Sequence, residues 1–401
     1  SRPPPPPPPP QPEQTAPEKK EKEAGRDPPA ASTPAPAKSE EVESEIKSYI
    51  ESGGKLTLAV LACNRPDYLK QTLDSLLDVD GVRKENIVVI QDGKHAPVMD
   101  VVHDYGLDLV QNEGQQRSRI RDGAEKIATH YKFAIQEAFN FNKESPAVII
   151  IEDDFLFSPD FLQYFESNAP ILDVDPTTFI MSAWNDNGLK IHVRDKRKLH
   201  RTNYFPGLGW LMPRKLWEEE LAAKWPRTHW DHWMRDRKQH KGRDCIHPEI
   251  PRDYHIGVKG TFMDDFHHNT YFKDIGYNKE LGFEWDGDEY LNAVHSKYDA
   301  DILKKMKGGK ELERIEQLQQ ENDQVFVIYI SVKPGLPSQP FKPMGQYFKI
   351  WHEIERGNYD GIHQFWWENG NYVIVVNEVE AAPMFKELRT GKLWEPRQFK
   401  K

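Results

Sequence analysis

The sequence contains very little cysteine: Cys63 and Cys245 are the two cysteines in 401 residues. Two cysteines form at most one bridge, which excludes the multi-disulfide framework of small secreted domains. No stretch approaches 18 consecutive apolar residues, and the amino terminus has no apolar signal region. We therefore expect the chain as given to be soluble.

An excess of basic residues is also missing. The 54 Lys and Arg residues are outnumbered by 64 Asp and Glu residues, which gives a formal net charge of −10. A nucleic-acid-binding surface requires clustered positive charge, so a nucleic-acid partner is not expected.

Residues 1–50 lack the apolar residues that a packed core requires. Eight consecutive prolines are followed by a segment rich in Pro, Glu, Lys and Ala. This composition predicts a disordered, extended stem, with one short amphipathic helix over residues 39–52. The alternative is a docking site for a Pro-recognising domain.

Residues 51–290 alternate between apolar strands and amphipathic helices. Strands are predicted over LTLAVLACN, NIVVIQDG and AVIIIE, with helices between them. This alternation predicts an α/β domain built on a doubly wound, mostly parallel sheet. Polar residues follow each strand, and in such sheets ligands bind beyond the carboxyl ends of the strands.

The usual nucleotide motifs are absent from this domain. No Gly-x-Gly-x-x-Gly follows the first strand, which disfavours a dinucleotide fold, and Gly53-Gly54-Lys55 lacks the spacing of a P-loop. No His-Glu-x-x-His or Cys/His spacing indicates zinc. A site for a single sugar nucleotide stays open.

Three adjacent acids, Glu152, Asp153 and Asp154, follow the buried strand AVIII. Three neighbouring carboxylates are costly unless a cation or ligand compensates them. Oxygen ligands at this edge suit Mg²⁺ or Mn²⁺ carrying a substrate phosphate. The alternative is that the acids open a loop before a helix starting at Ser158-Pro159-Asp160.

Asp231 stands between Trp230 and His232 in a segment that contains three Trp. A carboxylate flanked by aromatics is expected to have a raised pKa and to act as a general base. The alternative is an acid in the first turn of a helix that interacts with the helix dipole.

Residues 291–401 differ in character from the first domain. A helical linker is predicted first, followed from Gln324 by strand-like runs with a hairpin signal at Asn369-Gly370. We expect a small, mainly antiparallel β domain that either supports the first domain or shapes the acceptor side of its site.

Specific motifs add to this pattern between about residues 56 and 280. They are LAVLACNRP, QDG, KIATHYKFAI, VIIIEDDFLFSPDF, SAWNDNG, FPGLGW, KWPRTHWDHWMR and the run that begins with GRDCIHPEI and ends with YHIG. In this order they resemble the N-acetylglucosaminyltransferase I family, inverting enzymes that add GlcNAc in β1,2 linkage to mannose. The segment GNYDGIHQFWWENGNYVIVV resembles the family's second domain more weakly.

The resemblance implies a GT-A fold, UDP-GlcNAc as donor and Mn²⁺ as cofactor. It assigns the metal to Asp154 and the role of general base to Asp231. The residues it assigns to the donor are Arg65, Asp92, His130, Glu152, Asp153 and Trp230. It also implies a type II membrane protein of the Golgi lumen, attached through an N-terminal anchor outside this sequence.

The chain departs from the family pattern at several positions. His232 replaces an Asp, and Cys63 and Cys245 lack their usual partners, so both are expected to be unpaired. The motifs EDD and SAWNDNG favour an α-mannose of a high-mannose N-glycan as acceptor. The segment after Gly260, TFMDDFHHNTYF, favours protein O-mannose or another glycan. An inactive glycan-binding module is the third hypothesis.

Overall fold

The structure, a computed structural model, describes residues 56–113, 122–258, 264–333 and 340–400. The predicted stem and its short helix lie outside these residues. Among the helices that are described, none is long and apolar enough to cross a membrane.

An eight-stranded sheet forms the centre of the first part of the chain. Its order is β3-β2-β1-β4-β8-β6-β9-β7. The strands of this sheet are β1 Thr57–Ala62, β2 Ile87–Asp92, β3 Asp108–Asn112, β4 Ala147–Glu152, β6 Thr178–Ser182, β7 Leu199–Thr202, β8 Trp210–Pro213 and β9 Asp244–Pro248. Two further strands, β5 Phe155–Phe157 and β10 Asp253–His255, pair antiparallel outside it.

Strands β3, β2, β1 and β4 are parallel neighbours, whereas β8 runs antiparallel to both β4 and β6. The parallel half confirms the predicted doubly wound sheet. The antiparallel β8 was not predicted, because its segment FPGLGWLMP has the glycines of a turn.

The helices of this part cover both faces of the sheet. They are α1 Pro66–Leu77, α2 Ala96–Asp104, α3 Gly123–Phe141, α4 Phe161–Asn168, α5 Ile171–Val174, α6 Arg214–Leu216, α7 Trp230–Met234, α8 Arg237–His240 and α9 Asp265–His267. Alternate residues of β1 enter different cores: Leu58 and Val60 join α1 on one face, and Ala59 and Leu61 join α3 on the other. Burial on both faces explains why these strands are apolar throughout.

The start of α4 corrects one expectation. The residues after the acidic run form β5, which pairs with β10, and the helix begins at Phe161 rather than at Ser158. Asp160 instead binds the buried Arg252, with Oδ2 2.6 Å from Nε.

A second, smaller sheet lies in the C-terminal part. It contains β11 Lys310–Glu311, β12 Val325–Ile330, β13 Ile362–Trp366, β14 Tyr372–Asn377 and β15 Leu393–Trp394, and the helices of this part are α10 His295–Gly308, α11 Gln317–Gln320, α12 Lys342–Phe348 and α13 Pro383–Lys386. The predicted hairpin is present, since β13 and β14 pair antiparallel around Asn369-Gly370. The boundary at residue 290 stays a prediction.

The expectation that this sheet is mainly antiparallel is wrong. Its central pair, β12 and β14, is parallel, and β12 also pairs parallel with β11 and β15. The runs VFVIYI and YVIVVN are apolar throughout because residues of both strands enter the cores on the two faces of the sheet.

Candidate active site

The predicted donor residues follow adjacent strands at one edge of the large sheet. In the parallel pairing, Leu61 lies beside Glu152 and Ala62 beside Gln91. Arg65 therefore emerges next to the acidic run, with Asp92 at the end of the strand on its other side. The strand ends therefore lie side by side, and the crevice expected beyond them stays a prediction.

Arg65 binds two of the three acids. Its Nη1 donates to Asp154 Oδ2 at 2.7 Å, and its Nη2 donates to Asp153 Oδ1. Pro66 occupies the first position of α1, so Arg65 stands at the start of the helix. Burial raises the pKa of Asp153 to about 6 against the opposing charge of Arg65. One arginine thus compensates part of the acidic charge.

Asp154 has an oxygen available for a ligand. Both acids that bind Arg65 are buried, and Asp154 Oδ1 has no hydrogen-bond partner. His255 Nε2 lies 3.6 Å from Oδ2, and a Cβ at Gly257 would lie 2.2 Å from the same atom. The backbone at Gly257 therefore approaches the carboxylate as closely as a glycine permits.

The unpaired Asp154 Oδ1 is an oxygen of the kind that a divalent cation takes as a ligand, and Asp153 Oδ2 beside it also has no hydrogen-bond partner. Among the described residues no group of three or more His, Cys, Asp or Glu side chains forms a complete metal shell. A cation at Asp154 Oδ1 would need further oxygen ligands, which the phosphates of a nucleotide sugar can supply.

Glu152 is held by α3. The hydroxyl of Tyr131 donates to Glu152 Oε1, and burial together with the charge of Asp154 raises the pKa of Glu152 to about 7. His130, the preceding residue of α3, is also buried, and burial lowers its pKa to about 4. His130 is therefore neutral at neutral pH.

Asp92, at the end of β2, is half-buried, which raises its pKa, while the charge of Lys126 opposes the shift.

Trp230 connects α7 to the acidic edge. Its ring stacks on that of Tyr131 with centroids 4.0 Å apart, and it also packs against the rings of Trp210 and Trp225. His229, just before α7, has a φ of 48° and lies in the left-handed region. A non-glycine residue in this region is strained, and such strain is common at functional sites.

Asp231 is the second residue of α7, in the predicted first helical turn. Its pKa is lowered rather than raised: burial would raise it, but the charge of Arg235 and the hydrogen bond from Arg235 Nη1 to Oδ2 at 2.6 Å outweigh burial. The expected raised pKa is therefore wrong, because sequence reasoning counted the aromatic neighbours and not the arginine four residues later. His232 Nε2 lies 4.0 Å from the same oxygen.

Three residues of this site were not predicted individually. Tyr131 and His255 lie in motifs that carry the family resemblance, but nothing in the sequence singles them out. Arg235 had a usable signal, since residues four apart on a helix face each other. The expectation that Cys63 and Cys245 are unpaired is confirmed.

The chain is similar in sequence to known proteins over most of its length. The model of the GNT-I family matches residues 33–382. An alpha-1,3-mannosyl-glycoprotein 2-beta-N-acetylglucosaminyltransferase of Arabidopsis thaliana is 34% identical over 322 residues, which are 73% of this chain and 72% of the relative.

Similar solved structures match less of the fold. The TarS 1–349 structure of S. aureus in complex with UDP-GlcNAc has 14% identity and a TM-score of 0.36 over 51% of this chain and 60% of that chain. The mannosyltransferase PcManGT of Pyrobaculum calidifontis, in complex with GDP-Man and Mn²⁺, has 16% identity and a TM-score of 0.31, over 52% and 64% of the two chains.

The family match and the relative agree with the motifs and with the mixed, mostly parallel sheet. The chain belongs to the GNT-I family and to the N-acetylglucosaminyltransferase class of enzyme that its motifs predict.

Proposed function

We propose that this enzyme transfers GlcNAc from UDP-GlcNAc to the 2-hydroxyl of an α-mannose in a high-mannose N-glycan, with inversion to a β1,2 linkage. The relative's name supports a mannosyl glycoprotein acceptor. The observation that carries the proposal is the connection of Asp231 to the acidic edge through Trp230, Tyr131 and Glu152. It brings a carboxylate suited to proton abstraction into the same site as a cluster of acids suited to the donor.

The donor side would use the residues at the strand ends. Arg65, Asp92 and His130 would hold the nucleotide, while Asp153 and Glu152 would accept hydrogen bonds from donor hydroxyls. Asp154 Oδ1 would hold the divalent cation, for which we propose Mn²⁺. When bound, such an ion neutralises negative charge on a leaving diphosphate.

The reaction in this proposal is a single displacement. Asp231 takes the proton of the mannose 2-hydroxyl while the oxygen of that hydroxyl forms a bond to the anomeric carbon of GlcNAc. The bond from that carbon to the diphosphate oxygen breaks, and UDP leaves with the electron pair. Asp231 is ionised at neutral pH and can accept a proton, and the charge of Arg235, which lowers its pKa, makes it a weaker base than a free Asp.

Trp230 would sit beside the donor sugar and exclude water from it. Its ring is buried among those of Tyr131, Trp210 and Trp225, so its contribution is a fixed wall rather than a mobile one. Holding the two reactants against such a wall converts binding energy into orientation.

A protein O-mannose acceptor is the second candidate, favoured by the sequence DDFHHNTYF at residues 264–272. In either case we propose that the enzyme works in the Golgi lumen, attached to the membrane through an N-terminal anchor outside this sequence.

The test measures UDP release from UDP-GlcNAc with Mn²⁺, using a Man5 N-glycan, an O-mannosyl peptide and a free mannoside as acceptors. Turnover confined to the Man5 glycan supports the proposal, and preference for the O-mannosyl peptide selects the second candidate. Silence on all three, with glycan binding retained, would contradict both.

The role of Asp231 is tested separately. Asp231→Asn is expected to keep UDP-GlcNAc affinity and to lose about 10² or more in turnover, as removal of a general base does. Full turnover in this variant would assign the base to another group.

A further inference from the structure

We propose that Arg235 is a positioning residue for Asp231, and that Arg356 of the C-terminal part holds Arg235 in place through the ring of Tyr204. The inference rests on the proposed role of Asp231 as general base. It gives the C-terminal part a direct link to the site, beyond support of the first domain.

The first step is the fixed geometry of Arg235. Its Nη1 donates to Asp231 Oδ2 at 2.6 Å and its Nε donates to the carbonyl of Phe205 at 3.1 Å. The guanidinium is planar, so two hydrogen bonds at different nitrogens set the plane of the group. The carboxylate that accepts from it is thereby held in one orientation.

The second step is the ring of Tyr204. The guanidinium carbon of Arg235 lies 4.5 Å from the centroid of this ring, and that of Arg356 lies 4.8 Å from it. Two cations thus share one aromatic ring that is mostly buried, where attraction between a cation and a ring is stronger than in water. Displacing Arg356 would free one side of the ring against which Arg235 packs.

The third step is the anchoring of Arg356, which lies between α12 and β13. Its Nη1 donates to Asp186 Oδ1 at 3.0 Å, and its guanidinium carbon lies 3.5 Å from the centroid of the Trp351 ring. Its carbonyl accepts from Asn187 Nδ2 at 2.8 Å. Asp186 and Asn187 follow β6 of the large sheet, so Arg356 is fixed by that sheet as well as by its own segment.

These contacts form one series from the C-terminal part to the base. Arg356 touches Tyr204, Tyr204 touches Arg235, and Arg235 binds Asp231. The series does two things to the base: it sets the direction of the carboxylate, and its nearest charge favours the ionised form. A carboxylate that turns away by about 1 Å loses much of its catalytic effect.

The experiment compares Arg235→Gln, Arg235→Lys, Arg356→Gln and the double Gln variant by kcat, KM and the pH profile of kcat/KM. Arg235→Gln is expected to lower kcat about tenfold or more, with little change in the KM for UDP-GlcNAc. In Arg235→Gln the acid limb of the pH profile of kcat/KM is expected to move to higher pH, because the positive charge that favours the ionised form of Asp231 is gone. Arg235→Lys keeps the charge, so the limb is expected to return while kcat recovers only in part.

Arg356→Gln is expected to lower kcat as well. The double variant should then lose no more than Arg235→Gln alone, because Arg356 acts through Arg235. Losses that multiply would overturn the link through Tyr204, and an unchanged kcat and pH profile in Arg235→Gln would overturn the positioning role.

Arg214→Gln is the matched control. Arg214 also binds an acid four residues away (Glu218), three backbone carbonyls and an aromatic ring, but it lies beyond the amino end of β4, away from the strand ends that carry the acids. In Arg214→Gln the acid limb of the pH profile of kcat/KM is expected not to move. Asp231→Asn separates the two ideas: if it retains turnover the proposed base is wrong, whereas if it is inactive and Arg235→Gln behaves like wild type, only the present inference fails.

Discussion

The rings of Tyr131 and Trp230 stack with centroids 4.0 Å apart and planes 24° apart. This contact joins α3, which binds the acidic edge through the Tyr131 hydroxyl, to α7, which carries Asp231. The candidate donor acids and the candidate base are therefore held at a fixed separation before any substrate arrives.

Tyr131→Phe is expected to keep the stack and to remove the hydrogen bond to half-buried Glu152. Because a partly buried acceptor loses its donor, the free energy of unfolding should fall by about 1–3 kcal/mol, measured by urea denaturation. Tyr105→Phe is the control, since its hydroxyl binds Asp74 at the exposed surface. A change there of more than about 0.5 kcal/mol would show that the comparison does not isolate burial.

Asp154→Ala is expected to abolish metal-dependent binding of UDP-GlcNAc while the chain still folds. Folding should survive because Arg65 keeps Asp153 as a partner and one of three crowded carboxylates is removed. Calorimetry with and without Mn²⁺ measures the difference. Donor affinity that still rises with Mn²⁺ in the variant would place the metal elsewhere.

Gly257→Ala tests the same carboxylate from the opposite side. The added Cβ would lie 2.2 Å from Asp154 Oδ2, so the carboxylate or the backbone has to move. We expect weaker metal-dependent donor binding with Asp154 itself intact. At Gly308 an added Cβ meets nothing within 4 Å, so Gly308→Ala should bind the donor like wild type. Equal affinities in both variants would refute the close approach.

Acid should destabilise the fold through His192, which is buried between the two sheets and whose Nδ1 lies 3.0 Å from the Trp366 carbonyl. Burial lowers its pKa from 6.5 to about 4. Between pH 6.5 and about pH 4, His192 binds a proton in the unfolded chain but not in the folded one. The free energy of unfolding therefore falls as the pH drops through this window, and this contribution to stability is fully present above pH 6.5.

His192→Gln should make the free energy of unfolding less dependent on pH, by up to about 3 kcal/mol over the window. Urea denaturation at several pH values measures this slope. His103 is exposed, so His103→Gln should leave the slope unchanged. An unchanged slope in His192→Gln would show that this imidazole does not stay neutral in the fold.

The sequence predicted the parallel half of the large sheet well. Strands β1, β2 and β4 are short apolar runs separated by amphipathic helices, and local pattern is enough to identify such units. The expected crevice followed from where these strands end, so Arg65 and Asp154 could be placed together without coordinates. The hydrogen bond from Arg65 to Asp154 agrees with the family resemblance, which assigns the two residues to neighbouring parts of one site.

What depends on distant parts of the chain could not be predicted in the same way. Strand β8 is short and begins after two glycines, and its place between β4 and β6 is set by partners about 30 to 60 residues away. The low pKa of Asp231 needed the side-chain direction of Arg235, which spacing suggests but does not fix. The parallel pairing of β12 and β14 was available from their unbroken apolar runs and was missed because the Asn-Gly hairpin dominated the interpretation.

The positions of the site residues along the chain have a consequence for how such an enzyme can diversify. At the candidate donor edge, every residue except Trp230, His255 and Gly257 comes from residues 56–157, whereas the base and the contacts that hold it come from residues 186–356. Most of the candidate donor edge and the surroundings of the candidate base thus come from consecutive stretches of one chain. Substitutions that accumulate in the later stretch can change the sugar that is modified while the nucleotide sugar that is consumed stays the same.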